Sequence, residues 1–366
     1  MEDSKLYQVA LELIPGIGNI NAKNLISYCG SAKAIFQSKK AALLKIPGIG
    51  EKTISSIANQ KVLDQSERIL KDCEKNETKV FHFTDSDYPS RLKQIADSPN
   101  IIYTKGSGDI NPHRSLAVVG TRNATKYGKD VTEKIGKSCA DLKATMVSGL
   151  AYGIDIHSHR SSLACDVPNF AVLAGGLDKI YPSVHKKTAE QIMENGLLIS
   201  EKPPGTKPEA HFFPARNRII AGLSDATVVV EAAIKGGALI TANIADSYNK
   251  PVFAVPGDLE NKFSEGCNYL IRNQKAYIYT GSGDIIYQLN WDLEESQKPQ
   301  PIRDFTQLSD DEQKICGLLE VNSEGMAIDE MAWKAQISIN KLASLLLTLE
   351  FQGILKSLPG KKYQLI

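Results

Sequence analysis

From about residue 80 onward, short apolar runs alternate with stretches long enough to form helices. The runs are rich in Val, Ile and Leu, which is typical of strands buried on both faces of a sheet. The clear runs are residues 116–119, 145–147, 170–173, 197–199, 227–230 and 252–255. Their alternation with helices predicts an α/β fold with a mainly parallel sheet. Ligands of such sheets bind at the carboxyl ends of the strands, so the residues that follow each strand are the first candidates for a site.

The first 60 residues contain an internal repeat. The pattern Leu-x-x-Ile-Pro-Gly-Ile-Gly occurs at 11–18 and again at 43–50, each time before a stretch of helical pattern. Proline cannot continue the preceding helix, and the glycine pairs can adopt positive φ, so each copy predicts helix, tight turn, helix. This resembles the helix-hairpin-helix module, in which turn amides hold a DNA phosphate. A compact helical unit that needs two sharp turns explains the repeat equally well.

The C-terminal pattern predicts three helices and a hairpin, which is a winged-helix layout. A capping box at 309–312 opens the first helix, residues 326–336 and 338–351 suggest two more, and Pro359 and Gly360 separate two short strands. The polar, proline-containing stretch before it predicts a linker. The predicted domains are a helical domain at 1–79, an α/β domain at 80–290, a linker at 291–308 and a winged-helix-like domain at 309–366.

Charge and cysteine content narrow the class of protein. The chain has 366 residues with 43 Lys and Arg against 42 Asp and Glu, but 1–80 and 110–290 each carry +3 while 291–366 carry −4. The acidic end favours a protein contact or a regulatory role over DNA binding for the winged helix. The six cysteines are far apart, which argues against a zinc site and a secreted disulfide framework. No apolar run is long enough for a membrane span and the start lacks a signal-peptide profile, so we expect a soluble cytoplasmic protein.

Several predicted strands are followed by residues suited to phosphate binding. Gly120, Thr121 and Arg122 follow the first clear strand and combine a close backbone approach, a hydroxyl group and a forked cation. Ser148 and Gly149 follow the second. Further candidates are Lys179, which comes after Gly175 and Gly176, and Lys235, Gly236 and Gly237. Tight βα turns would also explain some of these glycines, but together the strand ends predict a groove for a polyanion or a nucleotide.

The stretch 203–218 combines aromatic and cationic residues in a proline-rich segment, which we expect to be a loop leading into a helix at 219–223. Aromatic rings provide stacking surfaces for bases, and arginines donate to phosphates. A core plug with solvated arginines is the alternative. The candidate DNA-binding residues in this stretch are Lys207, Phe213, Arg216, Asn217 and Arg218.

Catalytic patterns are sparse. His157 and His159 are two positions apart, which does not place both on one helix face, and no Gly-x-Ser-x-Gly elbow is present. The sequence therefore predicts no metal, no cofactor and no catalytic residue.

The motifs at 120–122, 148–155, 176–182, 213–224, 236–242 and 255–257 resemble the DNA-processing protein A family (DprA, also called Smf) in the same order. This resemblance implies an extended Rossmann fold that binds single-stranded DNA without catalysing a reaction, forms a homodimer and loads the RecA recombinase during natural transformation. It implies that Gly120, Thr121 and Arg122 grip phosphate, that Phe213 stacks on a base, and that Lys235, Gly236 and Gly237 line the same groove.

The chain departs from the family pattern at two places. Relatives often have a basic residue just before the Phe-Pro-x-Arg-Asn run, where Lys207 is the nearest substitute, and another directly after Tyr-Pro, where Ser183 stands with Lys186 and Lys187 farther on. The resemblance also places the dimer and recombinase contacts late in the α/β domain, at 263–274 with Tyr269, Leu270 and Ile271.

A second hypothesis is a Rossmann-like nucleotide-processing hydrolase in which Glu231 acts as the glutamate near a glycine-rich loop. Phe213 and the flanking helical units have little use in such a pocket, so single-stranded DNA binding is the leading interpretation.

Overall fold

The computed structural model describes residues 2–57, 60–291, 305, 308–322, 325–358 and 361–365. The chain divides into two compact units, Met1–Leu293 and Glu294–Ile366. The predicted linker, 291–308, lies almost entirely outside the described residues. Within the described ranges, no helix is both long and apolar enough to cross a membrane.

Residues 2–57 and 60–75, as the structure describes them, form six helices, and the predicted repeat lies among them. They are α1 (Glu2–Glu12), α2 (Asn19–Cys29), α3 (Ala32–Gln37), α4 (Lys40–Leu43), α5 (Glu51–Ile57) and α6 (Gln60–Lys75). The turn of each copy needs only one positive φ, at Gly16 (85°) and Gly48 (81°). The second glycine of the first copy, Gly18, is extended with φ of −88°, so one glycine of that pair supplies the positive φ.

A sheet of nine strands follows. The strands are β1 (Lys79–His82), β2 (Ile101–Lys105), β3 (Arg114–Val119), β4 (Ala144–Ser148), β5 (Asn169–Val172), β6 (Leu197–Ser200), β7 (Ala226–Val229), β8 (Val252–Ala254) and β9 (Tyr277–Ile278). Their spatial order is β1-β2-β6-β5-β4-β3-β7-β8-β9, and β3 to β9 pair in parallel while β1 and β2 pair antiparallel. All six predicted strands are present, which confirms the α/β prediction.

Helices cover both faces of this sheet. Because successive side chains of a strand point to opposite faces, each central strand contributes to two cores. In β3, Leu116 and Val118 join one core cluster and Ala117 and Val119 join the other. The helices are α7 (Ser90–Lys93), α8 (Lys126–Asp141), α9 (Ile154–Leu163), α10 (Lys186–Asn195), α11 (Phe212–Leu223), α12 (Gly237–Ser247), α13 (Glu265–Arg272) and α14 (Ser282–Leu289), with a 3-10 turn at Ser183–His185.

The strand order reverses beside β3. From β3 the chain passes through α8 to β4 on one side, whereas β7 lies on the other side and leads through α12 to β8. The loops after β3 and β7 therefore diverge and leave a crevice between them, which is where open α/β sheets bind ligands.

The N-terminal helices pack against the antiparallel edge of the sheet. Val9, Ile69 and Cys73 share a core cluster with Ile101 and Tyr103 of β2. The N-terminus of α2 also contacts the sheet domain, because the Asn19 side chain donates to Glu201 Oε1 at 3.0 Å and accepts from the Asn100 amide at 3.4 Å. The first hairpin thus directs the N-terminus of its second helix at the rest of the protein.

The second unit contains α15 (Asp310–Val321), β10 (Met326–Ala327), α16 (Ile328–Ala335), α17 (Ile339–Phe351), β11 (Leu355–Leu358) and β12 (Lys362–Leu365). Its small sheet has the order β10-β12-β11. The winged-helix prediction and the capping box formed by Ser309 and Glu312 are confirmed. The second helix begins two residues later than expected, since Met326 and Ala327 pair with β12. The predicted turn at Pro359 and Gly360 lies outside the described residues.

Candidate nucleic-acid interface

An open cleft of about 700 Å³ lies at the carboxyl ends of the parallel strands. Several predicted segments meet there, namely the loop after β3, the first turns of α11 and the N-terminus of α12. The predicted site residues that line it are Gly120, Thr121, Arg122, Phe213, Arg216, Asn217, Gly236 and Gly237. The fold therefore brings together residues that are up to 117 positions apart in the sequence.

Arg122 is the exposed cation of the first loop. Its guanidinium carbon lies 5.8 Å from the centre of the Phe213 ring, and among the described residues it has no ion pair. The backbone beneath it is fixed, because the Thr121 amide donates to Glu231 O at 2.7 Å and the Thr121 carbonyl accepts from the Ile154 amide at 3.1 Å. A fixed loop that carries an unpaired arginine is suited to gripping a phosphate.

Packing inside the protein explains why residue 120 is a glycine. A Cβ atom there would lie 2.4 Å from Ile154 Cγ1 and 3.0 Å from Glu231 O, so this glycine is required by packing inside the protein. Gly149 is similar, since its Cβ would lie 2.1 Å from Arg216 Nη1. A packing role thus accounts for Gly120, and its close approach to a ligand stays a prediction.

The N-terminus of α12 provides the part of the cleft that is open to a ligand backbone. Gly236 is the N-cap residue, and Gly237 is the first residue of this 11-residue helix. A Cβ at Gly237 would meet nothing within 4 Å, in contrast to Gly120. The Gly236 amide donates to Ala233 O at 2.8 Å, so the Gly237 amide and the positive end of the helix dipole are the groups that favour an anion at this position.

Phe213 lines the cleft and lies close to two arginines and a tyrosine. Its ring lies 5.8 Å from Arg122, 6.0 Å from Arg216 and 5.9 Å from the edge-on ring of Tyr181. The expected loop at 203–218 ends earlier than predicted, because α11 already begins at Phe212. Phe212 faces elsewhere, with Lys202 Nζ 4.8 Å from its ring centre.

Arg216 lines the cleft but is buried and hydrogen-bonded to the protein backbone. It is 6% exposed, and its Nη1 donates to the carbonyls of Gly149 and Val172, which follow β4 and end β5. Burial lowers the pKa of Arg216 to about 10, and the nearby Asp155 carboxylate opposes this shift. Burial likewise raises the pKa of Asp155, and Arg216 opposes that shift. Arg216 therefore holds strand ends together, although the sequence suggested a phosphate donor.

Ser148 and Arg218, which the sequence predicted as DNA contacts, do not line the cleft. Ser148 is fully buried, and its hydroxyl donates to Val118 O at 2.7 Å. Arg218 pairs with Glu201 and donates to Asp97 O. Both predictions of DNA contact are corrected to structural roles, because each polar group already has a partner inside the protein.

Three predicted lysines lie farther out and are exposed. Lys179 lines a small adjoining recess together with Gly149, Tyr181 and Phe213. Lys207 precedes Pro208, which lines both cavities, and Lys235 precedes the N-cap of α12. These lysines can contribute positive potential around the cleft rim.

Glu231, the residue on which the hydrolase hypothesis depends, is 1% exposed. Its carboxylate accepts from the Thr125 amide at 2.9 Å and from the Thr125 hydroxyl, which caps α8. It does not line the cleft. Within the described part of the chain, no group of three or more His, Cys, Asp or Glu side chains could hold a metal ion.

The predicted contact segment 263–274 coincides largely with α13. Leu270 is 1% exposed and belongs to the core, so its assignment to a subunit contact is corrected. Tyr269 and Ile271 are half-buried. The adjacent edge strand β9 exposes Tyr277 and Ile278, which the sequence did not single out.

Tandem helical hairpins, an extended Rossmann-like sheet and a winged helix together define a class of multidomain DNA-processing proteins. The family model described as DNA recombination-mediator protein A matches residues 79–290, and models for a DprA winged helix domain and a SAM-like helix-hairpin-helix tandem match 297–361 and 9–60. The chain belongs to the DNA recombination-mediator protein A family, also called DprA or Smf.

Relatives and solved structures agree with this membership. Protein Smf of Synechocystis sp. is 32% identical, with 98% of each chain covered, and DNA processing protein DprA of Bacillus subtilis is 40% identical over 55% of this chain and 68% of its own. The crystal structure of Streptococcus pneumoniae DprA has a TM-score of 0.64 at 30% identity, covering 77% of this chain and 97% of its own. A Helicobacter pylori DprA structure, described for its single-stranded DNA binding mode, has a TM-score of 0.53 at 29% identity, covering 58% of this chain and 96% of its own.

Proposed function

We propose that this protein binds single-stranded DNA in the cleft at the carboxyl ends of its parallel strands. The observation that carries the proposal is the position of Phe213. Its ring centre lies 5.8 Å from the exposed Arg122 and 6.0 Å from the buried Arg216, and it lines a cleft that also contains the N-terminus of α12. Single-strand binding without sequence preference usually combines aromatic side chains that stack on bases with cationic side chains that contact the DNA backbone. The Helicobacter relative supports the same ligand class.

Within this proposal the cleft residues have separate tasks. Arg122, the Thr121 hydroxyl and the Gly237 amide bind phosphate, Phe213 stacks on a base, and Asn217 donates from the same wall. Lys179, Lys207 and Lys235 attract the strand from the rim. Arg216, Gly120 and Gly149 hold the cleft in shape.

We propose that the protein acts without catalysing a reaction. The hydrolase hypothesis requires Glu231 to face the bound nucleotide, whereas Glu231 is buried and engaged with Thr125. Incubation of the purified protein with nucleoside monophosphates should release no free base, and release would instead favour the hydrolase hypothesis.

We further propose that the protein is a cytoplasmic homodimer that loads RecA onto incoming strands during natural transformation. Family membership supports this role, and the exposed side chains of the edge strand β9 offer a surface for self-association. The test is RecA-dependent ATP hydrolysis on single-stranded DNA already coated with single-strand binding protein. Addition of this protein should shorten the lag before hydrolysis, and an unchanged lag would contradict recombinase loading.

For the winged-helix unit we propose a protein contact. Helix α17, the one that a DNA-reading winged helix would place in the groove, carries a single cation, Lys341, which pairs with Asp311. The boundaries 1–79, 80–290 and 309–366 remain our proposed functional division of the chain.

A further inference from the structure

Two tyrosines outside the predicted set extend the aromatic surface of Phe213 along the cleft rim. Tyr181 is 54% exposed, lines both the cleft and the adjoining recess, and meets the Phe213 ring edge-on at 5.9 Å. Tyr152 is 48% exposed, and its ring meets that of His185 at 5.0 Å. About half of the surface of each tyrosine is therefore accessible to solvent, although aromatic side chains gain free energy from burial.

The two tyrosines belong to loops that are fixed to one another. Tyr181 and His185 are in the same short segment, which contains the 3-10 turn at Ser183–His185. His185 is 3% exposed, and its Nδ1 is 2.8 Å from Leu150 O in the loop that carries Tyr152. Val184, which is 65% exposed, lies between Tyr181 and His185 in the sequence. Phe213, Tyr181 and Tyr152 are thus connected in series, ring to ring from Phe213 to Tyr181 and through the segment of His185 to Tyr152.

Cations flank these rings. Lys179 lines the same recess as Tyr181 and Phe213. Arg160 Nε donates to Thr188 Oγ1 at 3.4 Å, and Thr188 is about one helical turn beyond His185. Arg122 lies near Tyr152, because the backbone of Thr121 and Arg122 packs against Gly153, the residue after Tyr152. A row of exposed rings bordered by cations matches the chemistry of an unpaired nucleic-acid strand better than that of a protein surface, because each base offers a π-face and each nucleotide a phosphate.

We infer that Tyr181 and Tyr152 form a second and a third base-stacking surface, over which single-stranded DNA leaves the cleft. This inference rests on the proposed binding at Phe213 and adds the direction of the strand. It also predicts that affinity depends on strand length, because a short oligonucleotide fills the cleft alone and a longer one reaches Tyr152.

The test measures the affinity of the full chain for oligo-dT of increasing length by fluorescence anisotropy at constant salt. Tyr152→Ala should bind the shortest oligonucleotides like the wild type and lose about fivefold or more in affinity for longer ones, since each stacked base contributes that much or more. Tyr152→Phe keeps the ring and should restore binding. Tyr287→Ala, which removes an 85% exposed tyrosine of α14, is the matched control.

The outcomes separate this inference from the proposal on which it rests. If Tyr152→Ala equals the wild type at every length while Phe213→Ala is weakened, the strand does not cross Tyr152 and the inference is overturned. If Tyr152→Ala weakens binding equally at all lengths, the residue shapes the cleft and the inference also fails. If Phe213→Ala binds like the wild type at every length, the proposed DNA site itself is wrong.

Discussion

The cations of the cleft are of two kinds, and the difference lies in their partners. Arg122 is exposed and its guanidinium group lies 5.8 Å from the centre of the Phe213 ring, whereas Arg216 is buried and donates to two backbone carbonyls. Neutralisation of a phosphate requires a cation that can leave its protein contacts at little cost. Among the arginines of the cleft, Arg122 meets that requirement.

Replacement of Arg122 by Ala should lower the affinity for single-stranded DNA about tenfold and to the same extent for every sequence, because a phosphate contact reads no base. The slope of log affinity against log salt concentration should also become shallower by the contribution of roughly one phosphate contact. Anisotropy titrations at several salt concentrations measure both effects. Arg68→Ala, an exposed arginine of α6, is the control, and equal binding by the two variants would contradict the assignment.

Phe213→Ala should reduce the free energy of DNA binding by about 1–3 kcal/mol, the usual contribution of one base stacked on an aromatic ring. Phe212→Ala should leave it unchanged, because the Phe212 ring contacts Lys202 and His211 instead of the cleft. The comparison of two adjacent phenylalanines controls for general effects on α11. A larger loss in Phe212→Ala than in Phe213→Ala would show that the wrong ring was assigned.

The run at 213–218 shows what the sequence could reveal at this scale. The residue types in this run make Phe213, Arg216 and Arg218 candidates for DNA contact. The sequence does not distinguish the two arginines as long as the segment is expected to be a loop. In α11 residues two positions apart point about 200° apart, so Arg216 faces the cleft and Arg218 faces Glu201. Had the helix been predicted to begin at Phe212, its periodicity would have separated them.

At the scale of elements, the parallel strands and the helices between them follow from the apolar runs, whereas β1, β2 and β9 do not. β9 has only two residues and both are exposed, so no buried pattern marks it. β1 and β2 form the antiparallel edge that receives the N-terminal helices, and this docking depends on contacts between distant segments. The cleft itself was predicted because all strand ends of a parallel sheet meet at one edge.

The two glycine positions of the cleft should respond to substitution in opposite ways. Gly237→Leu should leave the free energy of unfolding unchanged or slightly higher, since its side chain enters open space on a helix, but it should weaken DNA binding about tenfold by filling the cleft. Gly120→Ala should lower the free energy of unfolding by about 1–3 kcal/mol, because its Cβ overlaps Ile154. Chemical denaturation and anisotropy on both variants give the comparison, and normal DNA binding by a folded Gly237→Leu would remove α12 from the site.

At the scale of the whole molecule, the N-terminal helices dock on the sheet through a buried polar cluster as well as an apolar one. Glu12 at the end of α1 accepts from Asn100 Nδ2 at 2.6 Å. Burial raises the pKa of Glu12 to about 7, the Asn100 hydrogen bond opposes this, and the nearby Glu201 carboxylate adds to it.

The free energy of unfolding should therefore depend on pH through Glu12. The folded protein binds this proton more tightly than the unfolded chain, so the stabilisation is complete below the ordinary pKa of 4.5 and is lost as pH rises through about 7. Glu12→Gln should flatten this decline in chemical denaturation between about pH 5 and pH 8. Glu74→Gln, on the exposed surface of α6, should retain it, and an unchanged slope in Glu12→Gln would contradict the assignment.

The near-zero net charge of the chain conceals a local separation of charge, with +3 on 110–290 and −4 on 291–366. The claim of DNA binding consequently depends on where Arg122, Phe213 and the N-terminus of α12 are placed, and the total charge says little about it. These groups fit a strand whose bases are unpaired, because Phe213 needs a free base face on which to stack.

The most direct test compares binding of the full chain to single-stranded and duplex DNA of equal length and sequence over a range of salt concentrations. Tighter binding to the single strand at every concentration is expected, with log affinity falling linearly with log salt. Replacement of Phe213 by Ala should abolish most of that preference. Equal affinity for the two forms, or a single-strand preference that persists in Phe213→Ala, would contradict the proposed cleft.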